Sequence, residues 1–341
     1  VMPKDPIWAP GGPDYKAGAA PAAPTAAATT APTAVPAAKC DKLPNMPTAA
    51  AGALGSPDNP IVITFVPSGD VPTITKAGDD TAACLNKITG LSYKINVGTS
   101  YAASIEAMGA NKAQFSFLAT FAAILAKEKY GVTPALVAVR NYSTNEVDPD
   151  ASLKGKPEPF YKAQFLTQAS SGIKTLADLK GKTFCFVDPT STSGSVVPQI
   201  IMKANGIDPN KDLKAVQNAG SHPNVVAAVY KGDCDAGVSY IDARLDSGIQ
   251  KTYPDVMTKV VPFYDSDKIP NDGLQVAKGV DPSIKDATVN GLLSMMADPG
   301  GNAIVYKAYQ YNALQKVDPT YYDAFEALLK KAGVDAATLV K

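Results

Sequence analysis

At 341 residues the chain is long enough for two lobes with real cores plus a tail. Lys+Arg and Asp+Glu balance at 32 each beside a single histidine, so a net charge of zero gives no general attraction to nucleic acid or anionic membrane. No apolar run reaches the length of a membrane-spanning helix, and one histidine without any Cys-x-x-Cys pair leaves little for a zinc site; no cofactor is expected.

Residues 1–60 read as a tail rather than a domain. A chain opening on Val1 reads as trimmed or processed at its N-terminus. From Ala17 to Ala38 it is almost wholly Ala, Pro and Thr, and proline at that density blocks helix and sheet. An extended tether is expected, with residues 1–39 reaching a cell surface or membrane complex. The sharper alternative is a docking arm, because Ile7, Trp8 and Tyr15 put the only tryptophan here. Cys40 follows Lys39 and is unlike a lipoprotein cleavage site.

The folded part opens with Ile61 to Val66, a β-branched run suited to a buried strand, and turns at Pro67-Ser68-Gly69. A helix over about Thr75–Thr89, a strand over Tyr93–Val97 and a helix after Gly98-Thr99-Ser100 follow. Then come a strand over Gln114–Leu118, a helix over Phe121–Tyr130 and a strand over Pro134–Arg140. Alternating strand and helix predicts α/β lobes, each a mostly parallel sheet flanked by helices.

Asn141 to Pro159 is a polar boundary loop and Phe160 to Thr167 an extended crossing segment. Alternation then resumes: Leu176–Lys182 as a short helix, a strand at Phe184, a helix to Asn205 and a strand near Lys214–Gln217. A helix over Asn224–Tyr230 and strands over Ala236–Ser239 and Thr258–Tyr264 follow. Ser266 to Gly273 is a second boundary loop, after which Leu274–Ala277 returns as a strand. Two helices, about Pro282–Met296 and Asp318–Ala332, close the chain. The expected division is lobe 1 from 61–158 with 268–341, and lobe 2 from 159–267.

The chain is organised around Phe184-Cys185-Phe186-Val187-Asp188-Pro189-Thr190-Ser191-Thr192-Ser193-Gly194-Ser195. It reads as a buried strand, a hydroxyl-rich turn and a helix start. A helix start presents unpartnered N–H groups and the positive end of the macrodipole, and three hydroxyls are added there. Such a turn suits a tetrahedral oxyanion. The plainer alternative is one N-cap among turn residues.

Four cysteines without metal-binding spacing favour two disulfides, hence an exported protein. Cys185 with Cys234, each beside a strand of one sheet, and Cys40 with Cys84, stapling tail to first lobe, is the preferred of three open pairings.

The chain resembles the substrate-binding proteins of phosphonate, phosphite and phosphate ABC transporters. The resemblance rests on Phe65-Val66-Pro67-Ser68, Tyr101-x-x-x-Ile105-Glu106-Ala107-Met108, Ser171-Gly172-Ile173 and Asp178-Leu179-Lys180-Gly181-Lys182. It continues with Val187-Asp188-Pro189-x-Ser191-Thr192-Ser193-Gly194, Gly220-Ser221-His222, Gly232-x-Cys234-Asp235-Ala236-Gly237 and Ile269-Pro270-Asn271. It spans about Ile61 to Ala332 and implies a two-lobed type II periplasmic-binding-protein fold with two crossovers. It further implies a non-catalytic, extracytoplasmic monomer that captures a small phosphorus oxyanion between its lobes and delivers it to a permease.

Carried over by residue, Ser191, Thr192 and Ser193 would hold the phosphonyl oxygens, with Ser68 facing them. Tyr101 and Tyr161 would line the cleft and His222 would contact the ligand. Asp242 and Asp272 fall near acidic positions that meet an ammonium in members binding aminoalkylphosphonates. Carboxylates repel oxyanions, so their presence would imply a bound proton or a cationic tail. Each has a plainer role: helix entry for His222, an N-cap for Asp242, a solvated loop for Asp272, packing for Tyr101. The third-strand segment Phe115–Thr120, which lacks the usual Gly-Pro-like turn, and the crossing segment at Gln164 and Thr167–Ala169 depart from the family pattern. Two other functions are consistent with the residues: a hydrolase using Ser193, His222 and Asp242, though without a Gly-x-Ser-x-Gly elbow, and an accessory subunit docking through the tail.

Overall fold

A computed structural model of the chain describes residues 36–334 and 336. The readings placed on Ile7, Trp8 and Tyr15 fall outside the described residues. Strands β1 (Ile61–Phe65), β2 (Tyr93–Val97), β3 (Phe115–Leu118) and β4 (Thr133–Asn141) alternate with helices α1 (Val71–Thr89), α2 (Tyr101–Gly109) and α3 (Thr120–Tyr130). The second lobe carries β5 (Ala163–Gln168), β6 (Thr183–Phe186), β7 (Ala215–Asn218), β8 (Ala236–Tyr240) and β9 (Val260–Asp265). Its main helices are α4 (Val197–Ala204) and α5 (His222–Lys231). The chain returns through β10 (Gly273–Val276), α6 (Pro282–Ala297), α7 (Pro299–Tyr309), β11 (Ala313–Lys316) and α8 (Asp323–Lys331).

Two main sheets form among the described residues. The first runs β11-β4-β10-β3-β1-β2, with a two-residue strand, Pro157–Glu158, on β4; the second runs β9-β5-β8-β6-β7. Pairing within β2-β1-β3 and β8-β6-β7 is parallel, as alternation demands. Each sheet is mixed because a crossing strand enters it backwards. β5 pairs antiparallel with β8 and β9, and β10 pairs antiparallel with β3 and β4. Gly273 makes the second entry feasible, since a Cβ there would stand 1.9 Å from the Leu136 carbonyl oxygen.

The crossing segments hold each other. Phe160–Tyr161 pairs antiparallel with Ile269–Pro270, forming a two-stranded ribbon between the lobes. Asn271 fastens this ribbon to lobe 1, its amide donating to the carbonyls of Ala138 and Glu158, both at 3.0 Å. Lys162, almost wholly buried, is clamped by Asp148 at 2.8 Å and Asp150 at 2.7 Å from the first boundary loop.

Two features depart from the sequence reading. Between the two expected C-terminal helices lie α7 and the edge strand β11, and the last helix starts at Asp323 rather than Asp318. Asp298 caps α7 by accepting from Gly301 N–H at 2.9 Å, and Pro299 sits in the first turn, where a missing N–H costs nothing. The expected tail also does not run free to residue 60. From Pro36 it is a strap on lobe 1: Cys40 is bonded to Cys84, Lys39 N–H donates to Asp298, and Leu43 N–H to the Ile88 carbonyl. The second disulfide joins Cys185 in β6 to Cys234 just before β8.

Candidate functional site

The strand–turn–helix stretch lies at the seam between the lobes. After β6 the chain makes one turn of π-helix, Thr192–Val196, before α4. Pro198 supplies a reason: it has no N–H to give the Gly194 carbonyl, which accepts instead from Val187 N–H at 2.9 Å. The turn is thus pinned to the end of its own strand. Gly194 is required there, because a Cβ would lie 2.5 Å from the Val187 side chain. Ser191 is the N-cap, accepting from Gly194 N–H at 3.2 Å.

Helix N-termini from both lobes line this seam. α3 has no side-chain cap of its own; its Phe121 N–H donates across the seam to Thr192 Oγ1 at 2.8 Å. α5 begins at His222, whose N–H donates across the seam to the Ser68 carbonyl at 3.1 Å, so Ser68 meets lobe 2 through its backbone. α2 begins at Tyr101, which interacts with Ser191, and Tyr161 of the ribbon interacts with Ser193 and Thr192. Tyr101, Ser191, Thr192 and Ser193 are each at most 2 % exposed, so the seam is shut over them.

These groups are donors at neutral pH. Burial, then the Asp272 charge, pushes the Tyr161 phenol up to about 12, and burial raises Tyr101 well beyond its ordinary value. His222 Nδ1 lies 2.9 Å from Ser239 Oγ and accepts from Tyr240 N–H at 3.3 Å. That network assigns the proton to Nε2. Burial and the Arg140 charge hold the imidazole neutral, its pKa lowered to about 3.

A neutral buried histidine has a stability consequence. Between its unfolded value of 6.5 and about 3, the unfolded chain binds a proton that the folded chain refuses, so this contribution is full above pH 6.5 and lost as pH falls. Asp265 acts oppositely: burial raises its carboxyl to about 6, which weakens the fold as pH rises from its ordinary value of 3.8 toward 6. Replacing His222 by glutamine isolates the first effect. The stability difference between wild type and variant should change in the variant's favour by about 3 kcal/mol between pH 7 and pH 4. Chemical denaturation at each pH measures it; parallel curves would show that His222 is not held neutral.

The two acidic candidates sit differently from each other. Asp242 is buried at the start of a short 3-10 turn, and its carboxylate is held by Arg244 Nε at 3.0 Å, Arg244 Nη2 at 2.5 Å and Gln164 Nε2 at 2.9 Å. It therefore does cap a turn, accepting from Arg244 N–H, as the plainer reading had it. Asp272 is half-buried among the tyrosines, ion-paired with Arg140 at 2.7 Å and accepting from the Tyr311 hydroxyl. Arg140, Tyr309, Tyr311 and the α3 N-terminus were not singled out from sequence. Arg140 did carry a signal: the chain's only arginines are Arg140 and Arg244, and each ends up beside one of the two acidic candidates.

Two lobes hinged by a paired ribbon, with donors from both facing one seam, define the periplasmic-binding-protein class of fold. The chain belongs to the family described as ABC transporter, phosphonate, periplasmic substrate-binding protein, whose model matches residues 63–322. A curated relative, the phosphate-import protein PhnD of Mycolicibacterium smegmatis, is 29% identical over 203 residues; the match covers 57% of this chain and 58% of that protein, little more than half its length. A binding-protein component of an ABC phosphonate transporter from Pseudomonas aeruginosa has the same fold. It has a TM-score of 0.68 at 19% identity, over 82% of this chain and 92% of that one. PhnD1 of Prochlorococcus marinus, solved with methylphosphonate, superposes with a TM-score of 0.65 at 15% identity, over 80% and 98% of the respective chains.

Proposed function

We propose that this protein is an extracytoplasmic solute-binding protein that captures a small phosphorus oxyanion and hands it to an ABC permease. Its lobes, 61–158 with 268–341 and 159–267, close about the ribbon, and the tail ahead of the Pro36 strap tethers it to the membrane side. The observation that carries this reading is that helix N-termini and hydroxyls from both lobes line the seam at Ser191–Ser193. Thr192 caps a helix of the opposite lobe there. In the shut seam these N–H and hydroxyl groups pair with one another; donors gathered at one buried place are what an oxyanion needs, and excluding water strengthens them. Ser68, Tyr101, Tyr161 and His222 complete the donor shell in this reading, and Asp272 with Arg140 borders it.

The arrangement favours binding over catalysis. His222 Nδ1 is engaged by Ser239 and Tyr240, and Asp242 by Arg244 and Gln164, so the Ser193–His222–Asp242 relay of a hydrolase is not assembled. Calorimetric titration of ligand-free protein with phosphate, phosphite and methylphosphonate, with sulfate as control, tests the reading. Micromolar or tighter binding of at least one phosphorus ligand is expected. Heat from none of them would end it.

A further inference from the structure

We propose that the boundary loop Asn145–Asp150 is a clasp: rooted in lobe 1, it grips lobe 2 and holds the lobes shut over the bound oxyanion. Asn145 is its positioning residue. The inference rests on the oxyanion-binding reading above and adds how closure is controlled.

The root of the loop is built into lobe 1. Pro157–Glu158 pairs with Arg140–Asn141 at the end of β4. Beyond that pair, Tyr142 N–H donates to the Lys156 carbonyl at 2.7 Å and Gly155 N–H to the Tyr142 carbonyl at 2.9 Å. The loop also braces itself. Asn145 Oδ1 accepts from Val147 N–H and Asp148 Oδ1 from Asp150 N–H, both at 3.0 Å, and the Asp150 carbonyl accepts from Leu153 N–H at 2.8 Å. An arm pinned at its root and braced along its length carries the position of lobe 1 to its tip.

That tip is bonded to lobe 2. Asn145 Nδ2 donates to Gln164 Oε1 in β5 at 2.9 Å and to Asp265 Oδ1 at the end of β9 at 2.8 Å. Gln164 Nε2 passes the contact to Asp242, which Arg244 holds. Arg244 then returns it to the loop, its Nη1 and Nη2 donating to the two Glu146 oxygens at 3.2 and 2.7 Å. Asn145, Gln164, Asp242, Arg244 and Glu146 thus close a ring, and Asp242 works there rather than on the ligand. Glu146 is 55% exposed and its pair is weakened by water, so the grip centres on Asn145. All these bonds are made with the seam shut. Because the arm is rooted in one lobe and bonded to the other, rotation of lobe 2 about the ribbon strains its tip. Opening costs those bonds, and their energy appears as affinity for the ligand.

Release of the tip also exposes Asp265. In the shut form its Oδ2 is enclosed without a partner. Its carboxyl is faced by Asn145 and Asp148 of the loop, by Lys162 of the crossing segment and by Asp242, and its charge reaches Tyr142 and Tyr264. Burial raises it to about 6, whereas in water it returns to its ordinary 3.8. Closure therefore takes up a proton, and the shut form gains about tenfold at pH 5 relative to pH 7.5.

The test titrates the full chain calorimetrically at pH 7.5 and pH 5, using whichever of phosphate, phosphite and methylphosphonate wild type binds most tightly. Asn145→Ala removes both amide bonds and should weaken binding about tenfold at pH 7.5. Asp265→Asn keeps an oxygen for Asn145 and removes the proton site. The ligand's own ionisation is common to both proteins and cancels in the ratio of their affinities. Wild type should therefore gain about tenfold on Asp265→Asn between pH 7.5 and pH 5. A loop with only a structural role would leave that ratio flat, because Asp265 would stay covered in the open form. If Asn145→Ala does not fold by circular dichroism, the Asp265→Asn comparison decides alone. Binding by Asn145→Ala within twofold of wild type, or a flat ratio, overturns the clasp and leaves the oxyanion reading standing. No heat from wild type with any of the three ligands overturns both.

Discussion

Replacing Thr192 by valine should weaken oxyanion binding by about a hundredfold or more while leaving the ligand-free protein folded. Valine keeps the shape and removes only the hydroxyl. In the shut seam that hydroxyl accepts from Phe121 N–H of the opposite lobe and interacts with Tyr161, and in the oxyanion-binding reading its own proton turns to the bound oxyanion. Losing the first leaves a buried N–H without a partner in the closed form, about 1–3 kcal/mol; losing a bond to a charged ligand costs a similar amount. Together they amount to about 2–6 kcal/mol, whose middle of about 4 exceeds a hundredfold at 1.4 kcal/mol per decade. Because the interlobe bond exists only when the lobes meet, the cost falls on closure and not on folding. Titration calorimetry and thermal melting without ligand measure the two parts. Affinity within threefold of wild type would remove Thr192 from the site, and a collapsed melting temperature would make it a folding residue instead.

The second large effect is expected at Arg244. This side chain is fully buried and donates to Asp242, to Glu146 at 2.7 Å and to the Val260 carbonyl at 2.9 Å. Arg244→Met strands the Asp242 carboxylate, 4 % exposed, with no cation beside it. Breaking one side of a buried pair costs about 3–5 kcal/mol, much of it the penalty of the charge left behind. Removing both partners, as in Asp242→Asn with Arg244→Met, should therefore destabilise less than Arg244→Met alone. Equilibrium denaturation of the three proteins checks the ordering. A single variant within 1 kcal/mol of wild type, or a double variant worse than the single, would show that the pair does not carry lobe 2.

The two arginines also mark where sequence reading stops. Ser191-Thr192-Ser193 was legible as a hydroxyl-rich turn between strand and helix because its signal is local: strand, hydroxyls and helix start are neighbours in the chain. The alternation of strand and helix, the two boundary loops and the returning strand at 273–276 were legible for the same reason, since hydrophobic periodicity and turn residues act over a few positions. Helix α7 was missed because Asp298-Pro299-Gly300-Gly301 reads as a breaker, although an Asp cap followed by Pro in the first turn is also a helix start. Strand β11 is four residues at a sheet edge, identified by its partner β4 and not by its own pattern.

By itself, then, the sequence determined the α/β class, the order of the elements up to the C-terminal helices and the hydroxyl turn, because each is written in contiguous residues. Only the tertiary structure decided what the acidic residues do. Asp242 is two positions from Arg244 in the chain, and the pairing depends on a turn that folds one back on the other. Asp272 is 132 positions from Arg140, and the two meet because β10 inserts beside β4. A carboxylate's role is set by the nearest charge in space, through a potential that falls with distance and rises as water is excluded. That distance is fixed by strand order and burial, which no local pattern encodes.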